Sequence, residues 1–198
     1  MKQLTARGER TRQKLLVAAE RIFAELGYHN ASIVKITEAA GVGQGTFYLY
    51  FSGKQQVFDE VVLDLNTRVR HAMTEASAAG MTRAERELLG FGAFFRFTAE
   101  HPALYRIIRQ AEFVSPETLV THYERLTDGY VAGLRQAMEA GEIAEGDPEV
   151  LAWSLMGIGE LVGMRWILWN GERGMPDEVF DELSRIIVRA IGAKDLDP

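Results

Sequence analysis

Apolar residues recur along the chain at three and four positions, the period of about 3.6 residues that lines up side chains on one helix face, and strand-like alternation is absent. Leu15, Leu16, Ala19, Ile22, Phe23 and Leu26 make one such stripe, which stops at Gly27, a residue suited to a left-handed C-cap. Ser32, a good N-cap, opens a short second helix with Ile33, Ile36 and Ala40 inward and Gly41 just past its end. Ser52 and Gln55 have capping-box spacing and predict a long helix from about Gly53 to Ala79. Thr82 and Glu85 repeat that signature ahead of a helix reaching about Glu100. Pro102, Pro116, Pro148 and Pro176 each stand where a first helical turn tolerates proline. The pattern predicts an all-α fold of about nine helices with short connections and no internal repeat.

The stretch "GVGQGTFYLYFSGK" from Gly41 to Lys54 sets the second helix against a third of about seven residues, a helix-turn-helix arrangement. Gly41 lets the chain turn with positive φ, Val42 plugs the angle between the helices, and Gly45 leaves the start of the third helix without a side chain. Phe47 and Phe51, four apart, anchor an inner face, while Thr46, Tyr48 and Tyr50 face outward. Tyr hydroxyls there suit phosphate oxygens, Gln44 and Thr46 suit base edges in the major groove, and Lys54 suits a phosphate on the flank. The same rings at helical spacing also fit plain buried packing. Charge adds weight to the first reading. Residues 1–58 hold eight Lys/Arg against four Glu, a balance of +4, whereas the remainder holds fourteen against twenty-four, −10, which together give the −6 of the whole chain. A positive segment in an acidic protein points to a polyanion partner for that segment alone.

From Arg10 to Val61, about a quarter of the chain, the sequence closely resembles the DNA-binding segment of the TetR family of transcriptional regulators. The resemblance rests on "AAERIF", on Gly27 and Tyr28, on the "AAGV" turn at Ala39 to Val42, on "GTFYLYF" at Gly45 to Phe51, and on Lys54. It implies a homodimeric, usually repressing protein that binds a double-stranded operator and whose C-terminal helical domain takes a small-molecule inducer. It places Ser32 and Lys35 near phosphates, Gln44 and Thr46 near bases, and Tyr48, Tyr50 and Lys54 near the backbone, with Gly45 bringing its own main chain close to the DNA. Thr37 stands where the family usually has alanine, and Gly43 replaces a frequent serine, removing a capping hydroxyl worth up to about 1 kcal/mol. The expected division is a three-helix head over residues 1–55 and a larger helical sensing and dimerisation domain over 56–198.

Beyond residue 80 the composition turns aromatic, with Phe91, Phe94, Phe95, Phe97, Tyr105 and Phe113 in one region and Gly90 and Gly92 among them. Rings as walls, glycines as space and arginines as an orienting charge fit a pocket for a hydrophobic or amphipathic effector. Its candidate lining is Phe94, Phe95, Tyr105, Arg106, Arg109, Phe113 and Tyr123; ordinary core packing explains the same rings. "WSLMGIGELVGMRWILW" brings Gly159 and Gly163 four apart between Trp153 and Trp166. Since TetR-like proteins pair through their last two helices, these residues, with Val179, Leu183, Ile186 and Ile187 on the last helix, are the candidate dimer interface.

Other classes fit less well. The chain has no cysteine, and His29, His71, His101 and His122 show no metal-ligand spacing. No Gly-rich loop follows a strand and no serine elbow occurs, so neither an enzyme, a cofactor nor a metal is expected. The N-terminus lacks an apolar leader and no run approaches the roughly 18 apolar residues that span a bilayer, so a cytoplasmic protein free of membrane is expected. A helical carrier of hydrophobic ligands without a DNA role is the alternative, and it gives no reason to expose Tyr48 and Tyr50 beside Lys54.

Overall fold

The computed structural model describes residues 5–170 and 174–193. Among these the protein is helical without strands: α1 (Ala6–Asn30), α2 (Ile33–Ala40), α3 (Gln44–Phe47), α4 (Lys54–Ser77), α5 (Arg83–Glu100), α6 (Ala103–Val114), α7 (Pro116–Glu139), α8 (Pro148–Gly163) and α9 (Asp177–Ile191), with a π-helical turn, Met164–Leu168, continuing α8. The expected all-α class is the observed one.

Local chemistry sets most boundaries. Ser32 Oγ accepts the Lys35 N–H at 3.2 Å, and Asp147 Oδ1 accepts from Glu149 at 2.9 Å and Val150 at 3.1 Å, so helix-end donors that lack a carbonyl partner are satisfied. Thr82 and Glu85 form the reciprocal box, and its backbone donors hold the Glu85 carboxyl below its ordinary pKa. Pro116 and Pro148 are the first residues of their helices.

Four expectations change. Gly27 does take a positive φ, 75°, but with ψ at 160° it is outside the left-handed helical region, and α1 resumes for one more turn before the extended Ala31. The α-helical part of α3 is four residues and not seven; Leu49 and Tyr50 then donate to Thr46 at 3.3 Å and Phe47 at 3.0 Å, a tightening into three-residue turns. The box expected at Ser52 and Gln55 is displaced by one residue. With Lys54 opening α4, the third helical position is Gln56, whose Oε1 accepts the Ser52 N–H at 2.6 Å. Finally, α8 and the π-turn form one unbroken helix, Pro148–Leu168, of mean hydropathy 1.3, long and apolar enough by those two measures to cross a bilayer. The expectation that no such stretch exists does not hold.

The chain divides into two compact units. Met1–Leu65 and Ala103–His122 form the first, so α6, which lies against α1, joins the helix-turn-helix residues. Phe23, Phe47, Phe51, Phe58, Ile36 and Ile107 are fully buried in it. The Phe23 and Phe58 rings meet edge-to-face at 5.2 Å, with Tyr28 stacked on Phe23 at 5.8 Å. Asn66–Pro102 and Tyr123–Pro198 form the second unit. Its core gathers Phe91, Phe95, Leu134, Leu155, Leu183 and Ile187 from α5, α7, α8 and α9, with Ile143 from the connection between α7 and α8. Within it Tyr130 donates to buried Glu87 at 2.6 Å and Arg83 ion-pairs with the same carboxylate. Burial first, then the Glu87 charge, pushes the Tyr130 phenol well above its ordinary value.

Candidate nucleic-acid interface

The first unit presents α2 and α3 on a rigid base. Gly41 at φ 67° and ψ 36° ends α2 in the left-handed conformation, and its N–H returns to Glu38 O at 3.1 Å. Thr37, 2% exposed, fits the helix crossing by bonding its hydroxyl back to Val34 O at 2.9 Å, which removes the cost of burying it. Phe47 and Phe51 point into the core with ring centroids 5.3 Å apart. Everything that remains of α3 is therefore free for a partner. Gly43 and Gly45 are exposed, and a Cβ at either would meet nothing within 4 Å. Gly43 caps α3 without a side-chain hydrogen bond, leaving backbone donors at the helix start open. Gln44 and Tyr48 are exposed, and Thr46 and Tyr50 are half-buried.

The positive residues are placed by different means. Lys35 is exposed and its Nζ donates to Asn30 O at 3.1 Å. Lys54 Nζ donates to Tyr28 O at 2.7 Å and Ala31 O at 3.0 Å and sits 4.3 Å from the Tyr28 ring centroid. A cation there meets the carbonyl end of α1, where the helix dipole favours it. Lys54 thus ties α4 to α1 with two of its three donors. Tyr28 is held again from α6, since its N–H donates to Gln110 Oε1 at 2.6 Å.

A family described as bacterial regulatory proteins, tetR family, matches residues 15–61, the segment that builds this surface. The match makes residues 15–61 a tetR-family regulatory segment. The chain is 34% identical over 119 residues to the uncharacterized HTH-type transcriptional regulator YdgC of Bacillus subtilis, a match that covers 58% of this chain and 59% of that protein. The whole-chain fold resembles a TetR family transcription regulator from Marinobacter aquaeolei, with a TM-score of 0.78 at 21% identity over 95% of this chain and 98% of the other. It also resembles FadR from Bacillus subtilis in complex with stearoyl-CoA, with a TM-score of 0.75 at 22% identity over 91% of this chain and 97% of the other.

The effector candidates divide between the units. Tyr105, Arg106, Arg109 and Phe113 lie on α6 in the first; Tyr105 is buried, both arginines are exposed and Phe113 is 81% exposed. Phe94, Phe95 and Tyr123 belong to the second. There Phe94 and Phe95 meet at 5.5 Å, and Tyr123 donates to Glu160 at 2.9 Å with its ring 5.8 Å from Trp153.

The dimer candidates also divide. Gly159 is buried in its own unit, where a Cβ would stand 3.0 Å from Phe91 Cε1, and Gly163, Leu183 and Ile187 are buried as well. Trp166 and Val179 are half-buried, and Trp153 and Ile186 are exposed. Sequence reasoning missed three features. Gly157, exposed with nothing within 4 Å, is the small residue on the outer face of α8. Gln110 reaches Tyr28 from 82 positions away, beyond any local signal. Leu49, between two tyrosines assigned outward, was given no role, and it is 76% exposed.

Proposed function

We propose that this protein is a ligand-controlled transcriptional repressor: a homodimer that holds a pseudo-palindromic operator through two α2–α3 heads and releases it when a hydrophobic or amphipathic molecule binds. The observation that carries the reading is the division of labour in α3. Two phenylalanines fix it to the core, while Gly43, Gln44, Gly45, Thr46 and Tyr48 stand at a surface in the positively charged third of the chain. Backbone and tyrosine donors position the head on phosphates, Gln44 and Thr46 read base edges, and Ser32, Lys35, Tyr50 and the third donor of Lys54 serve the flanking backbone.

Dimerisation follows from α8. Each helical residue turns about 100°, so Val150, Gly157 and Leu161 fall on one line, with Trp153 beside it. The π-turn, in which the Trp169 N–H reaches back five residues to Met164 O at 2.9 Å, returns Trp169 to that line. These four side chains around an open glycine are exposed, and an apolar face of that length is buried by a partner in a soluble assembly. On α9, acidic Asp177, Glu178, Asp181 and Glu182 precede basic Arg185 and Arg189, so two antiparallel copies set opposite charges side by side. The residues that contact the second copy are therefore Val150, Trp153, Gly157, Leu161, Trp169 and Ile186, with Gly159 and Gly163 supporting from within.

For the effector, the similarity to FadR, whose structure holds stearoyl-CoA, and the rings of α5 favour an acyl chain with an anionic head. Effector and operator must each weaken the other by one common factor, because a ligand of equal affinity for both states shifts nothing. The test combines three measurements: duplex selection from a random pool, sedimentation of the free protein, and titration of long-chain acyl-CoA with and without the selected duplex. Expected are an inverted repeat with half-sites about 34 to 36 Å apart or somewhat more, a dimer at micromolar concentration, and weaker acyl-CoA binding in the presence of DNA. A monomer, or no enriched sequence, overturns the reading. Equal acyl-CoA affinities in both titrations overturn the effector class alone.

A further inference from the structure

Leu49 is the most exposed large apolar residue between α2 and α4, at 76% of its surface. A single exposed leucine is ordinary on a protein surface. This one is held by the same turn that presents the base-reading residues. Leu49 N–H donates to Thr46 O at 3.3 Å and Tyr50 N–H to Phe47 O at 3.0 Å. In such three-residue turns, positions i and i+3 eclipse, so Leu49 stands directly beneath Thr46. Between Thr46 and the start of α3 lies only Gly45, where a Cβ would meet nothing within 4 Å. Phe47 and Phe51 on the other side are 0% and 1% exposed, which denies Leu49 any route into the core while they occupy it.

An isobutyl group has neither donor nor acceptor, so it contributes nothing to a phosphate contact and cannot read a polar base edge. In the major groove one base feature is apolar, the C5-methyl of thymine. We propose that Leu49 reads a thymine methyl group in each operator half-site, close along the groove to the base pair that meets Thr46. The proposal rests on the DNA-binding reading above and adds to it an apolar readout beside the hydrogen-bonding residues of the head. The positive charge of residues 1–58 supplies the attraction that brings this surface to a polyanion, and the apolar contact then discriminates among sequences.

The probe is the duplex that the full-length protein selects from a random pool, with each thymine replaced singly by deoxyuridine, which deletes the methyl and leaves pairing intact. Burial of one methyl against Leu49 is worth about 0.8 kcal/mol, or about fourfold in affinity, with 1.4 kcal/mol as tenfold. Anisotropy titrations at fixed salt are therefore expected to show one symmetry-related thymine whose replacement weakens wild-type binding about fourfold. The same replacement is expected to leave Leu49→Ala unaffected, because that variant has already lost the contact. Leu49→Ala itself is expected to weaken binding to the unmodified duplex with no change in the slope of affinity against salt, since no phosphate contact is removed. Its exposed position keeps the fold intact, which circular dichroism checks.

If no deoxyuridine position affects the wild type, or if the sensitive position affects Leu49→Ala equally, the assignment is overturned and any thymine readout belongs to another residue. A reduced salt slope in Leu49→Ala overturns it as well. A pool that yields no enriched sequence removes the DNA-binding reading itself, and the role of Leu49 with it.

Discussion

Gly27→Ala tests how the break in α1 is held. At φ 75° and ψ 160° Gly27 occupies backbone space open almost only to glycine, and holding another residue there costs about 1–3 kcal/mol. The added Cβ would lie 3.4 Å from Gln110 Oε1, an ordinary contact, so no clash adds to the strain. The chain has one way to escape: let residue 27 turn helical and straighten α1. That turns the Tyr28 N–H into the helix and leaves the Gln110 oxygen without its donor in a part-buried place, at about 1–3 kcal/mol again. Both routes cost at least about 1 kcal/mol. The Tyr28 ring, packed on Phe23 and Phe58, and the Ala31 N–H bond to Gly27 O at 3.1 Å favour keeping the break. We expect Gly27→Ala to lower stability by about 1–3 kcal/mol, or Tm by roughly 2–12 °C for a chain of this size. Urea and thermal melts followed by circular dichroism, at one protein concentration because self-association makes stability depend on it, make the comparison. With the break retained, Gly27→Ala and Gln110→Ala are additive; with the break straightened, they share one lost hydrogen bond and the double variant costs less than the sum. A loss below about 0.5 kcal/mol for Gly27→Ala refutes the argument.

Lys54→Met, which keeps much of the side-chain length, is expected to cost about 1–2 kcal/mol by releasing the carbonyls of Tyr28 and Ala31. It should also lower the salt slope of operator binding by about one unit; an unchanged slope with a lowered Tm leaves Lys54 as a strut alone. Glu87→Ala strands a buried guanidinium and the Tyr130 hydroxyl, and is expected to cost about 3–5 kcal/mol in urea melts, against a smaller loss for Glu87→Gln, which still accepts from Tyr130. Equal losses in the two variants would show that the carboxylate is not the hub. Burial holds His122 down at about 4 against 6.5 in the unfolded chain, so the unfolded state binds the extra proton first. Stability is full above about pH 6.5 and falls by about 3 kcal/mol on the way to pH 4, a fall that His122→Gln should lack.

What the sequence made legible was what short-range chemistry decides. The Thr82 and Glu85 box and the prolines opening α7 and α8 need only neighbours a few residues away, and all of them formed. The two-sided character of "GTFYLYF" was legible too, because only one side of a short helix can pack, and Phe47 and Phe51 four apart had to share it. The failures have a common cause. Gly157, Gly159 and Gly163 look alike along the chain, but which of them faces outward depends on the phase of α8 against the core, and Phe91 from α5 sets that phase by packing on Gly159. Lys54 reads as a free cation beside aromatics until its partners, 26 and 23 positions earlier, are known. Gln110 reads as one polar residue among the charges of α6 until its oxygen is found on Tyr28.

Those long-range ties also bear on how the head is built. Three of the contacts that fix the end of α1 come from other helices: Lys54 and Gln55 from α4, the latter accepting from the Tyr28 hydroxyl at 2.9 Å, and Gln110 from α6. Tyr28 is their meeting point, and burial, then the charge of Asp59, raises its phenol above the ordinary value, so it remains a donor to Gln55 throughout the neutral range. A helix end satisfied by its own cap is indifferent to what α4 and α6 do. An end satisfied by side chains from both moves with them. The turn into α2 starts one residue after this junction, so any displacement of α6 that lengthens the Gln110 contact acts on the backbone just ahead of Ser32 and α3. The break at Gly27 is what makes that coupling available, because a continuous α-helix would have bonded the Tyr28 N–H within α1 and left Gln110 nothing to hold.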